Sequence, residues 1–236
     1  MNARQRSGPG WESEALARLR AGLQALAVQD RSGFSSDCES GLMAYLQLLV
    51  RWNSVYNLTA VRDPVAMVAV HLLDSLAIRP WVRAATGPVL DLGTGAGLPG
   101  IPLALTTPAL SMTLLDSNAK KVRFLRQAVV ALGLARSSVV HARVEDHRPP
   151  QGFAVIITRA YARMPALLAD AAPLLAPGGR ILAMKGRFDP VAEPVGSVWQ
   201  HRCHPLVVPG LDAERCLVEL WATDVAESAN MQTDSN

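Results

Sequence analysis

Apolar positions along the chain follow one period up to about residue 85 and a different one after it. In the first part they recur every three or four residues: Leu16, Leu19, Leu23 and Leu26; then Leu42, Tyr45, Leu46, Leu49 and Val50; then Met67, Val70, Leu73 and Leu76. That spacing lines one face of a helix, and it predicts amphipathic helices over 12–27, from 42 through Trp52, and from 63 onward. Asn57-Leu-Thr59 breaks the second helix, and Asp63-Pro64 starts the third, with Asp as cap and Pro in the first turn. Beyond residue 85 short apolar runs take over and predict strands at 89–92, 112–116, 138–141, 153–158 and 180–185. Helical stretches at 98–105, 118–133 and 165–175 separate them, and Pro177-Gly-Gly179 marks a turn. Two late β-rich runs, about 195–208 and 216–222, complete the sheet. Such alternation predicts an α/β, Rossmann-like fold, a doubly wound and mostly parallel sheet with its site at the carboxyl ends of the strands. Residues 11–82 are expected to form an N-terminal helical subdomain and 83–223 the Rossmann-like domain. Residues 1–10 are expected to be disordered, and 224–236 to be a polar tail.

Half of the 236 residues are hydrophobic, but the apolar runs break before the roughly 20 residues of a membrane span. Met1–Trp11 is polar and lacks the apolar stretch of a secretory signal. Three cysteines, Cys38, Cys203 and Cys216, show no C-x-x-C spacing, so neither a metal nor a disulfide framework is expected. A cytoplasmic protein with no membrane contact is the expectation. Net charge is only +3, yet residues 118–148 hold seven basic side chains against Glu145 and Asp146. Two of the three lysines, Lys120 and Lys121, lie there beside Arg123 and Arg126. That cluster reads either as a phosphate-binding surface or as a solvated helix face.

The chemistry is concentrated in Val89–Gly100, Val-Leu-Asp-Leu-Gly-Thr-Gly-Ala-Gly-Leu-Pro-Gly. A buried strand runs into glycines at 93, 95 and 97, where the backbone can turn with positive φ and approach a ligand closely. Gly95, Gly97 and Gly100 also satisfy the dinucleotide spacing G-x-G-x-x-G. The register favours S-adenosylmethionine (SAM) instead, because Asp91 inside the strand suits a cationic sulfonium and amine and would repel a pyrophosphate. Asp116 closes the next strand, where a carboxylate accepts ribose hydroxyls, or else caps the following helix.

Five motifs in order make the pattern specific: Arg51-Trp-Asn-Ser-Val-Tyr-Asn-Leu-Thr-Ala-Val-Arg-Asp-Pro64, His71-Leu-Leu-Asp-Ser75, the glycine segment through Pro102, Leu114-Leu-Asp-Ser117, and Lys120-Lys-Val-Arg-Phe-Leu-Arg126. Together they resemble the bacterial RsmG family, also called glucose-inhibited division protein B, over about residues 38–222. The resemblance implies a class I SAM-dependent methyltransferase that modifies guanine N7 in the 530 loop of 16S rRNA. It implies cofactor contacts at Gly93, Leu98, Val144, Glu145 and Arg159. Arg159 would face the methionine carboxylate or an RNA phosphate, or else pair structurally with Asp91 or Glu145. Guanine N7 carries a lone pair and no proton, so no general base is expected. Neither the Asp/Asn-Pro-Pro-Tyr/Phe signature of amino methylation nor a Pro-Cys or Thr-Cys nucleophile is present. His71 and Asp74, three apart on a helix, either meet the base or tie the helices to the core. Asn57 and Arg62, in a loop, are candidate RNA contacts. The implied partner is 16S rRNA within the 30S particle, met by a monomer. The residues alone leave open a small-molecule or protein methyltransferase and a non-catalytic ribosome-binding factor.

Overall fold

The computed structural model describes residues 10–31, 33–161 and 163–223. The termini expected to lack structure fall outside these, apart from Gly10. Three helical layers precede the sheet: α1 (Trp11–Asp30), α2 (Ser36–Tyr56), and a segment made of α3 (Pro64–Met67), a π-helical turn (Val68–Leu73) and α4 (Asp74–Leu76). A short α5 (Arg79–Arg83) follows. Local chemistry sets the ends. The Ser35 hydroxyl accepts from the Cys38 N–H at the start of α2, and Asn57 ends that helix in the left-handed region at φ 51°. The Asp63 carboxylate accepts from the Val65 N–H, with Pro64 opening α3 as expected. The π turn was not foreseen, since one extra residue per turn leaves the apolar spacing nearly unchanged.

Among the described residues the sheet has seven strands: β1 (Val89–Leu92), β2 (Met112–Asp116), β3 (Ser137–His141), β4 (Phe153–Arg159), β5 (Leu175–Lys185), β6 (Trp199–Pro205) and β7 (Cys216–Ala222). Their order is β3-β2-β1-β4-β5-β7-β6. The first five are parallel, β7 runs antiparallel to β5, and β6 antiparallel to β7. Strand order therefore reverses between β1 and β4, which opens a crevice at their carboxyl ends. Helices α6 (Gly100–Thr106), α7 (Ala119–Ala131) and α8 (Met164–Ala171) follow β1, β2 and β4. β5 begins earlier than expected. The Pro177–Gly179 turn lies inside it, as a bulge between the Phe153–Leu175 and Val155–Arg180 pairs.

One apolar core joins α1 and α2 to a face of the sheet, from Leu19 and Tyr45 through Ile157 and Leu182. The Tyr45 hydroxyl, buried in that core, donates to the Ala96 carbonyl at 2.7 Å and so fixes the glycine loop against α2. Arg79 pairs with Asp30 at 2.5 Å and also donates to the Thr106 carbonyl, linking α1 to α6. The 20 residues of Pro64–Arg83 are long and apolar enough to cross a membrane, contrary to the expected short runs. Most of that segment is buried inside the protein, which accounts for its apolarity.

Candidate active site

Two cavities open at the reversal of strand order. The first, about 450 Å³, lies over the β1–α6 loop and is lined by Gly93, Asp116, Lys121, Val144, Glu145 and Tyr161 among others. Gly93, Gly95 and Gly97 all take positive φ, at 70°, 63° and 88°. Only Gly95 leaves real space. A Cβ there would meet nothing nearer than the Gly93 carbonyl and the Lys121 ammonium, each at 3.9 Å. Asp116 shapes this loop directly. One carboxylate oxygen accepts from the Gly95 N–H at 2.9 Å and the other from the Asn118 N–H at 2.8 Å. The cap of α7 is Asn118, whose side chain accepts from Lys120 and Lys121, so Asp116 remains at the cleft. A largely buried carboxylate beside an open glycine suits a nucleoside with free ribose hydroxyls. Val144 and Glu145 stand opposite in a single 3-10 turn after β3.

The second cavity, about 480 Å³, lies between the π turn and the ends of β4 and β5. Buried Asp74 sits at its centre and accepts from two arginines, Arg159 at 3.2 Å and Arg215 at 3.0 Å. Arg159 also donates to the Val70 carbonyl in the π turn at 3.0 Å. Lys185 on the same wall pairs with Glu193 at 2.5 Å. With Arg187 at the rim, itself paired with Glu214, four cations stand against three carboxylates, an excess of one positive charge that suits an electron-rich or anionic ligand. Ala160, directly after Arg159, holds a left-handed conformation at φ 55°.

Tyr161 lines both cavities. Its ring packs over Gly93, within 3.2 Å of where a Cβ would stand, and its hydroxyl donates to Asp170 at 2.9 Å. Burial and that carboxylate raise the phenol's pKa, so the ring stays neutral.

The geometry corrects the expected facing of Asp91 and Gly97 and the structural pairing of Arg159, and it shows where the other expected residues stand. Asp91 does not face the cofactor cleft. It is fully buried, and one oxygen accepts from the Thr94 hydroxyl at 2.6 Å and the Gly100 N–H at 2.7 Å, bracing the loop from within. Burial raises its pKa to about 6 against those two bonds, which lower it. Leu98 is buried in the core, and its N–H is taken by the Thr94 carbonyl. Gly97 leaves space for the core and not for a ligand, since a Cβ there would strike Ile101 at 2.4 Å and Leu125 at 3.1 Å. Arg159 faces the second cavity and pairs with Asp74, not with Asp91 or Glu145. Asn57 and Arg62 bond each other at 2.5 Å, and Arg62 donates to the Asn53 carbonyl, closing the end of α2. Lys120, Arg123 and Arg126 are exposed along α7, with Phe124 and Leu125 buried as expected, whereas Lys121 turns to the cleft, 3.9 Å from Asp116.

A family model described as rRNA small subunit methyltransferase G matches residues 39–193. The chain belongs to that family. A relative named ribosomal RNA small subunit methyltransferase G from Xanthomonas campestris pv. campestris (strain 8004) is 48% identical, covering 86% of this chain and 92% of its own. One of the same name from Methylococcus capsulatus is also 48% identical, covering 87% and 98%. Among solved structures, the glycopeptide N-methyltransferase MtfA complexed with S-adenosyl-L-homocysteine matches with TM-score 0.54 at 15% identity, over 64% of this chain and 90% of that one. A putative O-methyltransferase from Klebsiella pneumoniae matches with TM-score 0.54 at 16% identity, over 76% and 90%. Identities this low speak for the fold, a class I methyltransferase sheet.

Family membership accounts for the first cavity better than for the second. The expectations missed Tyr161, Lys185 and Arg215. Tyr161 had a signal of its own, an aromatic just past a strand end, and Lys185 is one of only three lysines. Arg215 had none, because its partner Asp74 lies 141 residues away.

Proposed function

We propose that the protein transfers a methyl group from SAM to N7 of a guanine in the 530 loop of 16S rRNA, acting on the small-subunit particle as a cytoplasmic monomer without a metal. The observation that carries this reading is the pair of cavities meeting at Tyr161, one glycine-built with a carboxylate, the other cationic. Bound SAM would supply an electrophilic methyl group. Asp116 would accept the ribose hydroxyls, Gly95 would leave room for the ligand beside the Gly93 backbone, and the backbone at Val144 and Glu145 would meet the adenine edge. Arg159 and Arg215 would hold the acceptor side. Lys120, Arg123 and Arg126, on the helix that starts at the cleft, would take RNA phosphates.

The residues in the second cavity suit an acceptor with no proton to lose. The imidazole there, His71, is a weak base: burial first, then the Arg159 charge, lower its pKa to about 4. Methyl transfer to a ring nitrogen then depends on alignment, which the cavity walls provide. Incubation with small-subunit particles lacking the modification and with methyl-labelled SAM tests the reading. Label at one guanine N7 of the 530 loop is the expected result. Label elsewhere, or none with SAM bound, would refute it.

A further inference from the structure

A third cavity, about 760 Å³, lies at the other end of the sheet from the two already described. It runs from the Pro177–Gly179 bulge of β5 across the start of β6 and the end of β7. Two of the chain's five tryptophans line it, Trp199 on β6 and Trp221 on β7, together with Arg180, Arg202 and Glu219. Both tryptophans are half-buried. Strand register sets the charge of this groove. Arg202 stands directly opposite Glu219, yet both oxygens of that carboxylate are already engaged, by Arg180 at 3.1 Å and by His204 at 3.0 Å. Among the described residues Arg202 forms no ion pair, and its guanidinium lies over the Trp221 ring instead, 6.0 Å from the centroid. Arg202 is exposed, so it offers the groove a charge and N–H donors that no carboxylate among the described residues takes up.

Resting on the reading of the substrate as ribosomal RNA, we propose that this groove anchors a single-stranded segment of that RNA, with bases against Trp199 and Trp221 and a phosphate on Arg202. Aromatic side chains beside a basic groove suit a single strand, because every base has a face to stack and every linkage carries a charge. Arg180 and Arg202 against Glu219 leave an excess of one positive charge, complementary to a phosphodiester. A guanidinium resting on an indole is also held in place for a phosphate oxygen. The groove stands apart from the reacting atoms. Arg180 in the groove and Lys185 in the second cavity are five residues apart on β5, roughly 17 Å at the rise of a strand. The anchor therefore acts on the hold on the particle and not on the methyl transfer.

The test compares binding and turnover of small-subunit particles by the full-length protein and two variants. Arg202→Gln and Trp221→Leu are each expected to raise KM for the particles fivefold or more, with kcat and SAM affinity within twofold of wild type. Arg202→Gln should also lower the log–log salt slope of particle binding by about 0.7, the share of one phosphate on a single strand. That variant sits at an exposed position and carries the test should Trp221→Leu fail to fold. A readout without turnover is a uridine octamer carrying 4-thiouridine. Its light-induced crosslinks should fall within residues 199–222 of the wild type and be lost there in Arg202→Gln. An unchanged KM and salt slope in Arg202→Gln, or no crosslink within 199–222 of the wild type, would overturn the proposal alone. So would a fall in kcat on saturating particles in Arg202→Gln, which would put the groove in the reaction itself. Self-association of the protein that Trp221→Leu abolishes, with particle binding unchanged, would assign the groove to a second copy and overturn it too. Methyl label at a nucleotide other than the guanine, with the expected losses of binding, would refute the guanine reading and uphold the anchor.

Discussion

The two cavities that meet at Tyr161 are built by opposite means. The first is centred on a backbone device, one loop and one carboxylate within 24 residues, Gly93 to Asp116, with Val144, Glu145 and Tyr161 completing its wall. The second is a side-chain device, made by Asp74, Arg159 and Arg215, which the fold brings together from three distant elements. A backbone device is fixed by turn geometry, so its parts must be glycine and short polar groups in set order. A charge cluster is fixed only by the tertiary fold, and any spacing along the chain will serve. The difference predicts that the first should break through shape and the second through charge.

The largest effect is expected at Gly97. Gly97→Val forces a branched side chain into Ile101 and Leu125 from a φ of 88°. It should lower stability by about 3–5 kcal/mol in urea denaturation, combining overpacking with left-handed strain. Loss of SAM binding with stability intact would return Gly97 to the ligand side. Asp74→Ala comes next. It leaves two guanidinium groups facing each other, each with about a quarter or less of its side chain in contact with solvent. Breaking a buried pair takes away roughly 3–5 kcal/mol, and partial exposure brings the expectation to about 2–4 kcal/mol. SAM affinity should stay within twofold.

How much of this was legible in the sequence follows the same division. The glycine register, Asp116 and the five parallel strands were readable because each depends on neighbours in the chain. The mistakes inside the loop had one cause. A sequence shows that Asp91, Leu98 and Gly97 belong to the turn, but not which side of it they face, and all three face the core. Arg159 was placed at the right strand end, but its structural pairing is with Asp74 and not with Asp91 or Glu145, since Asp74 reaches it only through the π turn. No periodicity reports that turn, so His71 and Asp74 could not be separated from an ordinary helix face.

Acid titration sharpens the contrast through one buried group beside each cavity. Asp91 has its pKa raised to about 6, so its contribution to stability is present below about pH 4 and lost as pH rises through 6. His71 has its pKa lowered to about 4, so its contribution is present above about pH 6.5 and lost as pH falls through 4. Between pH 4 and 6 the two oppose each other. Asp91→Asn should expose the His71 slope, stability falling with acid by on the order of 2–3 kcal/mol. His71→Asn should expose the opposite slope. Parallel curves for both variants and the wild type would show that neither group titrates as described.

The smallest effect concerns the exposed face of α7. Lys120→Ala/Arg123→Ala should weaken binding to small-subunit particles and flatten its salt dependence by about 0.7–0.9 in log–log slope for each phosphate no longer neutralised. An unchanged slope would leave these side chains as a solvated helix face.

The division of labour itself is tested most directly by titrating two variants against both ligands, SAM by calorimetry and small-subunit particles by equilibrium binding. Gly95→Ala puts a methyl group into the open space of the first cavity, and Arg215→Ala removes a cation from the second while Arg159 keeps Asp74 paired. The expected result is a crossed pattern. Gly95→Ala should lose at least tenfold in SAM affinity and keep its hold on the particle, and Arg215→Ala should do the reverse. If each variant weakens both ligands to the same extent, the two cavities form one site, and the separation of cofactor from acceptor across Tyr161 is wrong.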